Sequence, residues 1–218
     1  GATTQHTAAK DSTPAVRSSQ TATPAAVPGA SASFTATLNS TGISSSSDPS
    51  AANFDGLGFS FQEQALAAAG YSPGAQVSVD GITFSWPSGA PDNTVAMGQT
   101  FMITGTGAEL AFLGASAYGT PHGIGGTATI HYTDGSIQSF QLVIDDWDQS
   151  TATAGLDQVA VTTNVADNPS GPAQRPSTVY FESVALEPGK TVEAVTLPVT
   201  AMPAANVSSL HIFAVSIG

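Results

Sequence analysis

From Ser33 onward the chain reads as short apolar or alternating runs, each stopped by Gly, Pro, Asn or Asp. Period-two alternation with such punctuation is the signature of half-buried strands. It predicts strands at Phe34–Leu38, Gln76–Val79, Ile82–Trp86, Thr100–Ile103, Leu110–Ser116 and Thr127–Tyr132. Further strands are predicted at Ile137–Ile144, Gln158–Thr163, Thr178–Leu186, Thr191–Leu197 and Leu210–Ile217. The clearest hairpin is Thr127–Ile144. Ala128, Ile130 and Tyr132 share one face of its first strand, and Phe140, Leu142 and Ile144 share one face of its second. Asp134-Gly135 between them tolerates the positive φ of a tight turn. Glu187-Pro188-Gly189-Lys190 is a second corner. Only Gln62–Ala69 carries a helical pattern, about two turns long and ended by Gly70. Many short strands with regular turn signals predict an all-β sandwich with one short helix. Alternation alone does not choose between a jelly-roll order and an immunoglobulin-like one.

Residues 1–31 break from this texture. Val16 and Val27 are their only large apolar residues, and Ala, Thr, Ser and Pro fill the rest, as in Thr21-Ala22-Thr23-Pro24. Such a segment buries too little surface to offset its ordering entropy. It is predicted to be a flexible linker ahead of a sandwich module over residues 32–218, against the competing reading of an arm packed on that module. The opening Gly1-Ala2-Thr3-Thr4 lacks the basic-then-apolar pattern of a signal peptide, so the chain reads as a mature form or an excised module.

Composition narrows the function. The 218 residues suffice for one full core. Sixteen acidic and four basic residues give a net charge of −12. Lys10, Arg17, Arg175 and Lys190 cannot assemble a basic patch, which excludes nucleic acid and electrostatic docking on anionic membranes as partners. No apolar run approaches the ~20 residues of a membrane-spanning helix. With no cysteine, disulfides, Cys-based zinc sites and a Cys nucleophile are excluded. A charged fraction of 9% with abundant Ser, Thr, Gly and Ala points to a secreted β protein.

Several segments together resemble a known group. They are Leu38–Ser44, Asn53-Phe-Asp-Gly-Leu-Gly-Phe-Ser-Phe61, Val79-Asp-Gly-Ile-Thr-Phe-Ser-Trp-Pro87, Pro91–Thr100, His131–Ser136, Asp145-Asp-Trp147 and Leu210–Ile217. As a set they resemble the accessory β-sandwich modules of secreted actinobacterial glycoside hydrolases. Those modules look like the galactose-binding-like jelly rolls to which many carbohydrate-binding modules belong. The resemblance covers roughly residues 33–218. It implies a jelly roll, an extracellular setting and a catalytic domain on the same polypeptide. Members include sugar binders, calcium-stabilised sandwiches and spacers without a ligand.

Sugar recognition needs an aromatic surface for the apolar side of a pyranose and planar polar groups for its hydroxyls. Tyr118 and His122 lie on the Gly-rich loop Tyr118–Gly126, and Trp147 is flanked by Asp145, Asp146 and Asp148. Arg175 is the sole arginine of the module. These four are the carbohydrate-binding candidates. Each has a plainer reading: a solvated loop for Tyr118 and His122, a core ring for Trp147, and pairing with a local acid for Arg175. Calcium takes oxygen ligands from irregular loops, and Asp48, Asp55 and Asp145 are the candidates for a structural Ca2+. Catalysis has little support. Asp145 and Asp146 would point to opposite faces of a strand, no Gly-x-Ser-x-Gly elbow is present, and the four histidines lack metal-ligand spacing. His211 shares its strand face with Phe213, Val215 and Ile217 and is predicted to be half-buried. The expectation is a non-catalytic module that targets a linked hydrolase to its glycan. A purely structural sandwich is the alternative.

Overall fold

The computed structural model describes residues 32–218 together with Val27 and Ala30. Apart from those two positions, the segment 1–31 read as a linker lies outside the described residues. After a 3-10 turn at Phe34–Thr37 come two short strands, β1 (Ile43–Ser44) and β2 (Ser60–Gln62), then the helix α1 (Glu63–Ala68). A hairpin follows, β3 (Gln76–Val79) and β4 (Ile82–Ser85). Then come β5 (Thr94–Val95), β6 (Thr100–Gly105), β7 (Glu109–Ala117), β8 (Ile124–Tyr132) and β9 (Ile137–Ile144). The last four are β10 (Gln158–Asn168), β11 (Gly171–Ala185), β12 (Val192–Thr196) and β13 (Ser209–Ile217).

One sheet runs β1-β2-β10-β11-β7-β13-β5, the other β6-β12-β8-β9, and β3 pairs β4 apart from both. With β1–β4 and β10 set aside, the remaining strands can be counted in chain order from β5. One sheet then reads first-eighth-third-sixth and the other second-seventh-fourth-fifth. That is the double Greek key of a jelly roll, so strand order decides what alternation left open. β10 is an addition to this frame. It forms a long hairpin with β11, and β2 pairs on its outer edge.

Between the sheets lie Phe112 and Phe140, 5.9 Å apart, with Ala128, Ile130, Tyr132, Leu142 and Ile144 buried around them. The expected faces of the Thr127–Ile144 hairpin are thus the core faces. Its turn has Gly135 at φ 83, and the Ser136 N–H donates to Asp134 Oδ1 at 2.9 Å. A second apolar layer covers the outer face of the larger sheet. Its rings form a connected series: Tyr71 on Trp86, Trp86 on Phe213, Phe213 on Phe54, and Phe54 on Trp147, at 5.0, 5.1, 6.2 and 4.9 Å. Covered on both faces, β7 has no exposed residue.

Three expectations need correction. Phe34–Leu38 is not a strand; Phe34–Thr37 is a single 3-10 turn whose Phe34 ring meets Phe101 edge-on at 5.1 Å. The Gly-rich loop is shorter than Tyr118–Gly126, because β8 begins at Ile124. Gly125 sits in that strand, where a Cβ would come within 1.8 Å of the Leu142 carbonyl oxygen. His211, expected to be half-buried, is fully buried because the outer layer covers its strand face. The helix matches its expectation to within a residue at each end. Gly70 adopts φ 97 and the Tyr71 N–H bonds back to the Leu66 carbonyl at 2.9 Å, a Schellman closure. No helix among the described residues is long and apolar enough to cross a membrane.

Candidate functional site

At one end of the sandwich, three loops close around a cavity of about 240 Å³. The first crosses from β7 to β8 and brings Tyr118 and Thr120. The second follows β9 and brings Asp146, Trp147 and Asp148. The third precedes β2 and brings Asp55, Leu57 and Phe59. Arg175 of β11 completes the lining. Three of the four predicted sugar-binding residues, Tyr118, Trp147 and Arg175, are therefore brought together. His122 stays exposed on the same loop as Tyr118 and is not part of the lining.

Backbone chemistry shapes each loop. Asn53 Oδ1 accepts the Gly56 and Gly58 N–H groups at 2.8 Å each, and Asp55 Oδ1 accepts those of Leu57 and Phe59 at 2.8 and 3.2 Å. Gly56 has φ 82, and a Cβ there would come within 2.2 Å of the Ala204 carbonyl carbon. The Asn-Phe-Asp-Gly-Leu-Gly-Phe stretch is therefore a self-bonded turn that presents Phe59. Asp146 ties the other two loops. Its carboxylate accepts the Gly119 N–H at 2.6 Å and the Asp148 N–H at 2.8 Å. Burial pushes the Asp146 carboxyl upward, and those two amides oppose the shift. Tyr118 is held at φ 54, and its hydroxyl is buried with no partner among the described residues.

Trp147 is a core ring, as its plainer reading held. It is 2% exposed and packs on Phe54 and Phe61 at 4.9 and 5.1 Å. Its outward surface is covered by the Arg175 guanidinium at 5.0 Å, which also lies over Phe59 at 4.5 Å. Arg175 donates through Nε to Asp148 Oδ1 at 3.0 Å and pairs its terminal nitrogen with Asp148 Oδ2. This fork-to-carboxylate pair against two rings is the polar centre of the cavity. Phe59 was not foreseen, although its alternation with Phe61 was the available signal.

The calcium candidates are placed separately. Asp48 lies in an exposed turn, where its Oδ1 accepts from the Ser50 hydroxyl at 3.2 Å. Asp55 lines the cavity, and Asp145 is buried, with its carboxylate accepting from the Thr153 N–H and hydroxyl. Among the described residues, no three His, Cys, Asp or Glu side chains are grouped so as to hold a metal ion.

A second recess, of about 260 Å³, lies beside β10 and β11 and is lined by Asp157, Glu182 and Asp80 among others. Asp157 Oδ2 accepts the Asp145 N–H at 2.8 Å. Burial, reinforced by neighbouring carboxylates, pushes the Asp157 and Glu182 carboxyls up to about 8 each. The scan against protein-family models found no match for this chain, and the search of curated proteins found none.

Proposed function

We propose that this chain is a non-catalytic accessory module of a secreted glycoside hydrolase and binds a glycan in the cavity between Tyr118 and Arg175. The carrying observation is the Arg175–Asp148 pair set against Phe59 and Trp147. Vicinal sugar hydroxyls both donate and accept, so they match a guanidinium and a carboxylate fixed side by side. Tyr118 and Phe59 supply apolar surface for the C–H side of the ring. Weak binding there raises the local glycan concentration for a catalytic domain on the same polypeptide. The test is retention of the chain on a panel of insoluble polysaccharides and a glycan array. Arg175→Gln should weaken retention about tenfold or more, the scale of a lost charge-assisted hydrogen bond. Unchanged retention of that variant removes the site.

A second reading, a structural sandwich that buttresses a neighbouring domain, is favoured by one feature. Met97 and Val199 pair across an isolated bridge and, with Met202, are 42, 74 and 45% exposed. Val199→Asp would disturb such a contact without touching the glycan cavity.

A further inference from the structure

A larger cavity, of about 590 Å³, opens where the Phe34 turn meets the β3–β4 hairpin. Phe34, Leu38, Pro87 and Pro91 form its apolar side over the buried Trp86 and Phe213 rings, and Gln76, Ser85 and Ser88 are among its polar residues. Among the described residues, none that lines it is ionisable, in a chain whose net charge is −12. We propose that this groove is a second binding site, for an uncharged oligosaccharide segment.

The chemistry of the lining selects that class. A charged ligand would shed water here without meeting a counter-charge, which is costly. A neutral sugar chain loses only hydroxyl hydration, and amide and hydroxyl groups replace it. Gln76 and Ser85 are held in place by their own bond across the hairpin, at 2.9 Å. The rings are fixed too: Trp86 lies on Phe213 with centroids 5.1 Å apart and packs edge-on against Tyr71 at 5.0 Å. The hairpin ladder extends past its strands through Trp86 N–H to Ala75 O at 2.8 Å and Gly74 N–H to Pro87 O at 3.0 Å. The groove is therefore preformed, which spares a ligand the cost of ordering it. Its volume falls in the range of small-molecule sites, about 300–1,000 Å³, whereas the Arg175 cavity falls below it.

Each site contains one of the two tryptophans, Trp86 here and Trp147 in the other. That separates them experimentally. In the full chain carrying Trp147→Phe, Trp86 is the only indole. This variant is titrated with neutral hexasaccharides of β-1,4-glucose, β-1,4-mannose, β-1,4-xylose and α-1,4-glucose, and with an oligogalacturonate as the anionic control. At least one neutral sugar should change Trp86 emission saturably, and the anionic one should not. Gly89 lines the groove, has open space at its Cβ and lacks a positive φ, so Gly89→Tyr is accommodated while narrowing the site. Calorimetry on the parent and on Gly89→Tyr, with Trp147 intact, should show affinity reduced about tenfold or more. Arg175→Gln should leave this binding unchanged, so failure of the Arg175 cavity and failure of the groove give different results. The proposal is overturned if no neutral sugar alters Trp86 emission or if Gly89→Tyr binds as the parent does. Equal binding of the oligogalacturonate also overturns it.

Discussion

Arg175 is held by a carboxylate at its edge and a ring on each flank, yet it remains 20% exposed at its side chain and Asp148 45%. Water screens such a pair, so its contribution to folding is about 0–1 kcal/mol. Arg175→Gln should therefore move the thermal midpoint little while weakening glycan retention about tenfold, which a melting curve beside a pull-down checks. Trp86 is the opposite case. It is 3% exposed between Tyr71 and Phe213, so Trp86→Ala should destabilise the fold by about 3–5 kcal/mol, measured by denaturant unfolding. Titration at the buried residues sets the pH dependence. Asp157 and Glu182 rise from 3.8 and 4.5 to about 8, so the folded state keeps protons that the unfolded chain releases. Their stabilising contribution is full below about pH 4 and is lost as pH rises to about 8. His211 is pushed down to about 3 by burial, so it opposes them only below its ordinary 6.5, where the unfolded chain takes up a proton. Between pH 6.5 and 8 the two carboxyls act unopposed, and stability should climb as pH falls through that window. Asp157→Asn should flatten the climb in melting scans; an unchanged slope would assign it to other groups.

Pairing between elements depends on close backbone contacts that side-chain patterning does not report. Gly125 brings β8 against β9 so closely that an added methyl group would overlap the Leu142 carbonyl. Gly125→Ala should cost about 1–3 kcal/mol, as overpacking does, whereas Gly126→Ala, whose Cβ meets only Pro198 at 3.4 Å, should not. Paired unfolding curves decide it. The two corners foreseen between strands also meet each other. Lys190 contacts Glu187 at 2.5 Å and donates to Ser136 of the other corner at 2.7 Å. Fully buried His211 joins β13 to the chain before β5. Its Nδ1 lies 2.8 Å from Asn93 Oδ1 and its Nε2 2.8 Å from the Ser209 hydroxyl. A serine, a histidine and an amide in that order suggest a hydrolytic relay, but all three are buried at 0% exposure, so the chain of bonds is a fastening within the core.

For the molecule as a whole, the acidic excess is spread over loops and strands that mostly satisfy their own carboxylates. Asp55, Asp145 and Asp146 each accept hydrogen bonds from backbone amides of their own loops or of a neighbouring one. A midpoint that falls in chelator and recovers in millimolar calcium would support the calcium reading, and a melting curve unchanged by chelator would remove it. Ring packing links the two proposed sites across the molecule. Trp86 and Trp147 stand toward opposite ends of one series through Phe213 and Phe54.

Period-two patterning and turn residues were enough to define the strand-rich class, the Thr127–Ile144 hairpin, the Gly70 helix stop and most later strands, because those features depend on neighbours in the chain. Tyr118, Trp147 and Arg175 could be named from residue type, but their convergence could not, since these three positions, up to 57 residues apart, meet only after the sheets close. The same limit hid β1, β2 and β5. Each is two or three residues long and exists through its partner rather than through a local pattern: β1 pairs β2, β2 pairs distant β10, and β5 pairs distant β13. Sheet order, the second apolar layer that buries His211, and the uncharged groove beside Trp86 were decided by tertiary structure alone. Each is a relation between segments, and alternation within a segment carries no information about its partner.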